Sequence, residues 1–185
     1  MPNIYVIAGP NGAGKTTAAK IIFPETLGIT EFVNADEIAK GLSPFNWEGV
    51  AFEAGRIMIK RIHQLLNEKT SFAFETTLSA KNYFKFITGA KESGYIITLI
   101  YLWLNNVDVA KQRVAKRVAE GGHNITEDVI ERRYYRGLKN LKPYFDIVDD
   151  WYCFDNSNGE YALIAKKTGD EKTIVNFEVW RQIQI

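Results

Sequence analysis

The sequence GPNGAGKTT at residues 9–17 matches the pattern GxxxxGK(S/T) through Gly9, Gly14, Lys15 and Thr16. Its three glycines let the backbone adopt positive φ and turn N–H groups inward, where they can bind phosphate oxygens. Lys15 can reach the β- and γ-phosphates of a nucleotide, and the Thr16 hydroxyl can bind Mg²⁺. The predicted nucleotide-phosphate site consists of Gly9, Pro10, Asn11, Gly12, Ala13, Gly14, Lys15, Thr16 and Thr17.

The residues on either side of this loop favour the same interpretation. Residues 4–8, IYVIA, form an apolar run typical of a buried strand, and residues 17–22 suit a helix. A helix that starts at the loop adds the partial positive charge of its N-terminus to the phosphate site. The alternative is a glycine-rich turn that merely joins a strand to a helix, which would not require the lysine and the hydroxyl.

The composition of the chain limits the classes of protein to which it can belong. With 185 residues, of which 46% are hydrophobic, the chain is expected to form a single domain over residues 1–185. Its 23 basic and 22 acidic side chains give a net charge of +1, which favours neither a nucleic acid partner nor a membrane surface. The longest apolar stretch, residues 96–104, is too short to span a bilayer. A single cysteine, Cys153, suits the reducing cytosol, so we expect a cytoplasmic protein.

Strand-like and helical segments alternate along the chain, which predicts an α/β fold with a mainly parallel sheet flanked by helices. The predicted strands cover residues 4–8, 31–34, 71–75, 95–104 and 151–154. The predicted helices cover residues 17–22, 47–67, about 79–92, 107–118 and 126–142. Two alternating runs on either side of Thr168, Gly169 and Asp170 predict a C-terminal β-hairpin over about residues 160–180.

Asp36 follows the second predicted strand. Ligands of open α/β sheets bind at the carboxyl ends of the strands, so this carboxylate is expected to face the phosphate loop. There it can orient an acceptor hydroxyl and take its proton during phosphoryl transfer. The alternative is helix capping, because residues 34–37, NADE, resemble a capping box in which Glu37 is the reciprocal residue. The two roles do not exclude each other.

Glu75 ends the third predicted strand and is the second candidate carboxylate. It can hydrogen-bond a substrate hydroxyl or hold Mg²⁺ through water, with Thr76 beside it on the substrate side. The alternative is a strand-end residue that faces solvent, followed by a threonine that begins the next turn.

Residues 111–142 hold nine basic and four acidic side chains, a local charge of +5. Two helices joined by Gly121 and Gly122 predict a helical lid that can close over a nucleotide and bring arginines to the transferred phosphate. The alternative is a solvated basic face. The expected phosphate contacts are Arg117 and Arg133, and the secondary candidates are Arg113, Arg132 and Arg136.

Four segments occur together in this order: GPNGAGKTT, NADEIAKGLSP at residues 34–44, FETTLS at residues 74–79 and RVAEGGHNITEDVIERRYYRGLKNL at residues 117–141. This set resembles the zeta-toxin-like family of P-loop kinases over most of the chain, up to about residue 157. The resemblance implies an adenylate-kinase-like P-loop fold, related to that of shikimate kinase, together with ATP and Mg²⁺.

The resemblance also implies roles for single residues. Asp36 matches the catalytic aspartate of the family, Glu75 a substrate-side glutamate, and Arg117 and Arg133 the lid arginines. Better-known members phosphorylate UDP-N-acetylglucosamine and are neutralised by an antitoxin. Here the first strand starts at once, without an N-terminal helical extension, and the lid has the Gly-Gly-His form of compact relatives. Kinase chemistry therefore carries over better than the toxin role or the sugar-nucleotide substrate.

The sequence leaves three hypotheses for function. The first is an ATP-dependent kinase that acts on a hydroxyl of a small metabolite, with a nucleotide sugar as one candidate. The second is an ATP-hydrolysing switch that acts through a protein partner, although the chain has no Asn-Lys-x-Asp motif for reading guanine. The third is a polynucleotide 5′-hydroxyl kinase, which would show strongly salt-dependent binding of oligonucleotides.

Overall fold

The computed structural model of the chain describes residues 1–122 and 124–183. His123, which follows Gly121 and Gly122 in the predicted lid, lies outside the described residues. Within these ranges, no helix combines the length and the apolar content that crossing a membrane requires.

A seven-stranded sheet forms the centre of the fold, in the order β2-β3-β1-β4-β5-β6-β7. The strands are β1 (Asn3–Ala8), β2 (Phe32–Val33), β3 (Phe72–Thr76), β4 (Ile96–Trp103), β5 (Asp150–Asp155), β6 (Ala162–Thr168) and β7 (Glu171–Ile174). The first five are parallel, whereas β6 and β7 are antiparallel additions at one edge. The predicted α/β fold with a mainly parallel sheet is therefore confirmed.

Helices cover the sheet and connect its parallel strands. They are α1 (Lys15–Ile21), α2 (Ala35–Leu42), α3 (Ala51–Asn67), α4 (Asn82–Glu92), α5 (Val107–Ala119), α6 (Glu127–Ile147) and α7 (Phe177–Ile183). One turn of π-helix, Ile22–Thr26, continues α1 beyond the predicted end.

The predicted apolar central strand is β4, which is buried on both faces of the sheet. Leu99 and Tyr101 point into one hydrophobic cluster, and Ile100 and Leu102 point into the other. Successive side chains of a strand point to opposite faces, so a strand between two covered faces is apolar at every position. Cys153, on the neighbouring β5, is fully buried, and burial raises the pKa of its thiol.

Two predicted helix starts are wrong by several residues. Helix α3 begins at Ala51 rather than at residue 47, because a series of turns occupies the preceding residues; the N–H of Val50, for example, donates to the carbonyl of Trp47. Helix α4 begins at Asn82, since the hydroxyl of Ser79 hydrogen-bonds that of Thr77 instead of capping the helix.

The sequence predicts that helix α6 stops before Pro143, but the helix continues to Ile147. Proline usually ends a helix because it lacks the N–H and crowds the preceding turn. Here Leu141 and Tyr144 are both 1% exposed, and their packing in the core holds the last turns in place. At the other end Thr126 precedes the helix, but its side chain makes no capping hydrogen bond to the backbone.

The two edge strands of the sheet, β2 and β7, also differ from the prediction. Strand β2 spans only Phe32 and Val33, because the next residue, Asn34, already caps α2. The C-terminal hairpin is present, but strand β7 ends at Ile174 and helix α7 follows. The side chain of Asn176 accepts a hydrogen bond from the N–H of Val179, a typical helix start.

Candidate active site

The predicted phosphate loop joins the end of β1 to the start of α1, at the carboxyl edge of the parallel sheet. Gly9 has a φ of 145°, and a Cβ there would lie 2.2 Å from the carbonyl oxygen of Leu102 in β4. Gly14 precedes α1 with a φ of 83°, and a Cβ there would lie 2.9 Å from Nδ2 of Asn156. Glycine is therefore required at both positions by backbone conformation and by close packing.

Residues after β5 hold this loop from the other side. The side chain of Asn156 donates to the carbonyl of Ala13 at 2.8 Å, and the hydroxyl of Tyr161 donates to the carbonyl of Gly14 at 3.2 Å. Arg113, predicted as a secondary lid arginine, donates to the carbonyl of Ser157 at 2.8 Å. The sequence did not predict this support for the loop, because it joins segments more than 40 residues apart.

Lys15 is 5% exposed at the start of α1. Its Nζ donates to the carbonyl of Pro10 at 2.9 Å and lies 3.6 Å from a carboxylate oxygen of Glu75. Burial lowers the pKa of Lys15, and the carboxylates of Glu75 and Asp36 oppose that change. The folded chain thus holds an ammonium group in a partly desolvated position at the centre of the loop.

Glu75 lies beside β1 at the end of β3, where it pairs in register with Ile7. One of its carboxylate oxygens accepts hydrogen bonds from the hydroxyl of Thr16 and from Nδ2 of Asn34, both at 2.7 Å. The carboxylate therefore does not simply face solvent, as the alternative interpretation had it. Thr76, the next residue, accepts a hydrogen bond from the N–H of Leu78 and begins the turn after the strand.

Asp36 lies in the first turn of α2. The predicted helix cap is present, with Asn34 as the N-cap: its Oδ1 accepts from the N–H of Asp36 at 2.8 Å and from that of Glu37 at 3.4 Å. The side chain of Glu37 pairs with Lys40 at 2.9 Å, a different partner from the one that a capping box predicts. The carboxylate of Asp36 is thus not needed for the cap.

Two adjoining cavities meet at these residues. We call the first, of about 350 Å³, the P-loop cavity; it is lined by Asn11, Gly12, Gly14, Lys15, Thr16, Thr17, Lys20, Asp36, Glu37, Lys40, Glu75, Arg113, Arg117 and Gly122. We call the second, of about 390 Å³, the α3 cavity; it is lined by Asn11, Lys15, Asn34, Ala35, Asp36, Ala51, Phe52, Gly55, Arg56, Met58, Ile59, Glu75, Thr76, Thr77, Ser79, Ala80, Tyr83 and Arg133. The residues common to both are Asn11, Lys15, Asp36 and Glu75.

The predicted arginines divide into three groups by position. Arg117 lines the P-loop cavity, as Arg113 does, and Arg133 lines the α3 cavity. Burial lowers the pKa of the Arg133 guanidinium, and the Asp36 carboxylate opposes the change. Arg132 and Arg136 are exposed and line neither cavity.

Helices α5 and α6, which contain most of the predicted lid, are anchored in the core. Ala110 and Val114 of α5 and Ile130 and Tyr134 of α6 belong to the same hydrophobic cluster as Leu102 of the central strand. Any closure of residues 111–142 therefore has to involve the connection between the helices rather than the helices as a whole. The lid stays a prediction.

The family model described as zeta toxin matches residues 1–162. The chain belongs to the zeta toxin family. The resemblance to zeta-toxin-like P-loop kinases is thereby confirmed, and family membership supports an ATP-dependent phosphotransferase in general terms. An uncharacterized protein of Haemophilus influenzae is 32% identical over 126 residues, which cover 68% of this zeta toxin family chain and 88% of that protein.

Solved structures show the same fold at low sequence identity. A chain of the AvrRxo1-ORF1:AvrRxo1-ORF2 complex with sulphate ions matches 100% of this zeta toxin family chain with a TM-score of 0.83 at 21% identity. The same complex with ATP gives a TM-score of 0.82 at 20% identity. In both, this chain spans 65% of that protein's length, just under two thirds.

A chain of the PezAT chromosomal toxin–antitoxin system of Streptococcus pneumoniae matches 100% of this chain and 78% of its own, with a TM-score of 0.73 at 15% identity.

Proposed function

We propose that this zeta toxin family member is a cytoplasmic ATP-dependent kinase that transfers the γ-phosphate of ATP to a hydroxyl of a small metabolite. The observation that carries the proposal is the pair of adjoining cavities that share Lys15, Asp36 and Glu75. A switch that only hydrolyses ATP needs one nucleotide site. A second cavity that opens onto the same carboxylates supplies a place for an acceptor.

The P-loop cavity suits the donor nucleotide. Its backbone loop and Lys15 would bind the phosphates, and Arg117, which lines the same cavity, adds a second cation. Mg²⁺ is usually held by one or two carboxylates together with substrate phosphates, and it prefers oxygen ligands. The hydroxyl of Thr16 and the carboxylate of Glu75, 2.7 Å apart, fit that requirement and would hold the ion. Bound there, it would neutralise charge on the phosphates.

Asp36 is the residue that we assign as proton acceptor. As the acceptor oxygen bonds to the γ-phosphorus and the bond to the β–γ bridging oxygen breaks, Asp36 accepts the proton of the acceptor hydroxyl, and ADP leaves. A carboxylate of ordinary basicity suffices, because deprotonation comes late in a loose transition state. Lys15 and Arg133, which line the same cavity as this carboxylate, would stabilise the charge on the transferred group.

The α3 cavity suits a substrate with both apolar and anionic parts. Phe52, Met58 and Tyr83 supply apolar and aromatic walls, and Arg56 adds a cation away from the phosphate loop. Asn11 is 6% exposed at the junction of the cavities, and its Oδ1 has no hydrogen-bond partner among the described residues, so it can accept from a hydroxyl. A nucleotide sugar such as UDP-N-acetylglucosamine has an aromatic base, anionic phosphates and sugar hydroxyls. We propose this class of acceptor.

The similar structures support two parts of the proposal. A complex of the same fold contains ATP, which supports ATP as the donor here. PezAT is a toxin–antitoxin system, which supports an antitoxin-type protein as a partner of this chain.

The test is a transfer assay with γ-labelled ATP against sugars, nucleotide sugars, nucleosides and oligonucleotides. The variants are Lys15→Ala and Asp36→Asn, and Asp170→Asn, at an exposed aspartate that lines neither cavity, serves as the matched control. We expect a labelled small-molecule product that is lost in both variants and retained in the control. Release of phosphate alone with every acceptor would favour the switch, and a labelled oligonucleotide would favour the polynucleotide kinase.

A further inference from the structure

We propose that Asn34 is a positioning residue that joins the metal-side carboxylate Glu75 to the helix carrying Asp36. The inference rests on the proposed kinase function for the roles of these two carboxylates. It adds a residue, Asn34, whose side chain acts by holding Glu75 and the first turn of the helix with Asp36 in place.

The two ends of the Asn34 side chain serve different parts of the site. Its Nδ2 donates to Glu75 at 2.7 Å, and this carboxylate oxygen also accepts from the hydroxyl of Thr16. Its Oδ1 accepts from the N–H groups of Asp36 and Glu37 at the start of α2. One side chain therefore links the end of β3, the phosphate loop and the first turn of α2.

Burial makes this link a rigid one. Asn34 is 5% exposed, and strand β2 before it is fixed to β3 by the pairing of Val33 with Phe74. Hydrogen bonds at a site of low dielectric are stronger than in water, and a buried polar group that loses its partner is costly. Rotation of the Asn34 amide would break bonds on both sides at once.

Helix capping alone does not explain an asparagine at this position. Serine and aspartate cap helices about as well as asparagine does. Among these residues, only asparagine offers an acceptor oxygen and a separate NH₂ donor. An aspartate would place a second carboxylate against Glu75, and a serine would lack the second atom that reaches it. The Glu75 bond is therefore the feature that selects the amide.

The experiment compares Asn34→Ser, which keeps a cap and removes the donor, with Asn34→Asp, which keeps a cap and opposes two carboxylates. Asn34→Ala removes both functions. Thermal unfolding measures how much the helix cap stabilises the protein. Calorimetric titration with ATP, with and without Mg²⁺, measures whether Glu75 still supports Mg²⁺-dependent binding. No acceptor is needed for either measurement.

We expect Asn34→Ser to unfold at a higher temperature than Asn34→Ala but to share its loss of Mg²⁺-dependent ATP affinity. Removing the partner that orients a metal-binding group typically costs roughly 10–100-fold in metal affinity or activity. ATP binding without Mg²⁺ should change little. Asn34→Asp should share this loss of Mg²⁺-dependent affinity, because it also lacks the NH₂ group that orients Glu75.

Asn34→Ser with wild-type Mg²⁺ dependence would overturn the inference and leave Asn34 as a cap. A wild-type protein whose ATP binding does not depend on Mg²⁺ would overturn it as well. If these variants lose Mg²⁺ dependence but the wild type phosphorylates no acceptor, the positioning role stands and the kinase proposal fails.

Discussion

The hydroxyl of Thr16 donates to the carboxylate of Glu75 at 2.7 Å, although 59 positions separate the two residues in the chain. If these oxygens hold Mg²⁺, Thr16→Ala should raise the Mg²⁺ concentration for half-maximal activity by roughly 10–100-fold. Thr16→Ser keeps the hydroxyl and should stay close to the wild-type value. A titration of activity against Mg²⁺ measures both, and equal shifts in the two variants would show that the methyl group, not the hydroxyl, matters.

Arg133 and Arg132 are sequence neighbours in different surroundings, which makes them a matched pair. Arg133 is half-buried in the α3 cavity near Asp36, whereas Arg132 is exposed and lines neither cavity. Arginines that stabilise charge on a transferred phosphoryl group contribute roughly 10³-fold or more to kcat. We therefore expect Arg133→Ala to lose about that factor in single-turnover rate and Arg132→Ala to lose little. An equally small loss of rate in both variants would favour the solvated basic face over a direct contact of Arg133 with the phosphate.

Much of the site could be predicted because its signals are local in the chain. The phosphate loop is one contiguous motif, and the position of Asp36 after a strand places it at the same edge of the sheet. The bond between Asn34 and Glu75 spans 41 residues and depends on how β2 and β3 align, which no local pattern encodes. An asparagine directly before the helix that carries Asp36 is the available signal, and it predicts only the cap.

In helix α6, by contrast, packing outweighs a local sequence rule that is otherwise correct. The rule that proline ends a helix is sound for an exposed segment, but burial of Tyr144 beyond Pro143 holds the helix together. Gly137 of the same helix lies against the loop after β3, where a Cβ would come 2.6 Å from the carbonyl oxygen of Thr77. Such contacts depend on the assembled fold and set where the predicted arginines lie.

Gly55 of α3 and Gly89 of α4 are helical glycines that both have open space where a Cβ would lie. Alanine in a helix interior is more stable than glycine by about 1 kcal/mol, so Gly55→Ala and Gly89→Ala should both raise the free energy of unfolding. Only Gly55 lines the α3 cavity.

We therefore expect Gly55→Leu, but not Gly89→Leu, to raise the KM for the acceptor while the KM for ATP stays unchanged. Chemical denaturation and steady-state kinetics measure the two effects separately. An unchanged acceptor KM in Gly55→Leu would place the acceptor elsewhere.

Tyr134, a buried residue of α6, gives a pH-dependent prediction. Its hydroxyl donates to the carbonyl of Leu104 at 2.7 Å, and burial raises the pKa of this phenol from 10.0 to about 12. Below pH 10 both folded and unfolded chains keep the proton. Between pH 10 and about 12 the unfolded chain loses it first, so the free energy of unfolding falls as the pH rises.

Tyr134→Phe should lower the free energy of unfolding by about 1 kcal/mol at pH 7, because the hydrogen bond is lost. Above pH 10 the free energy of unfolding of this variant should decline less steeply than that of the wild type. Tyr101 and Tyr144, whose pKa values are also raised by burial, keep part of the decline in both proteins. Urea unfolding at pH 7, 9, 10 and 11 measures the difference. Parallel curves for the two proteins would mean that the phenol of Tyr134 ionises equally in the folded and unfolded chains, which its burial and its hydrogen bond to the Leu104 carbonyl argue against.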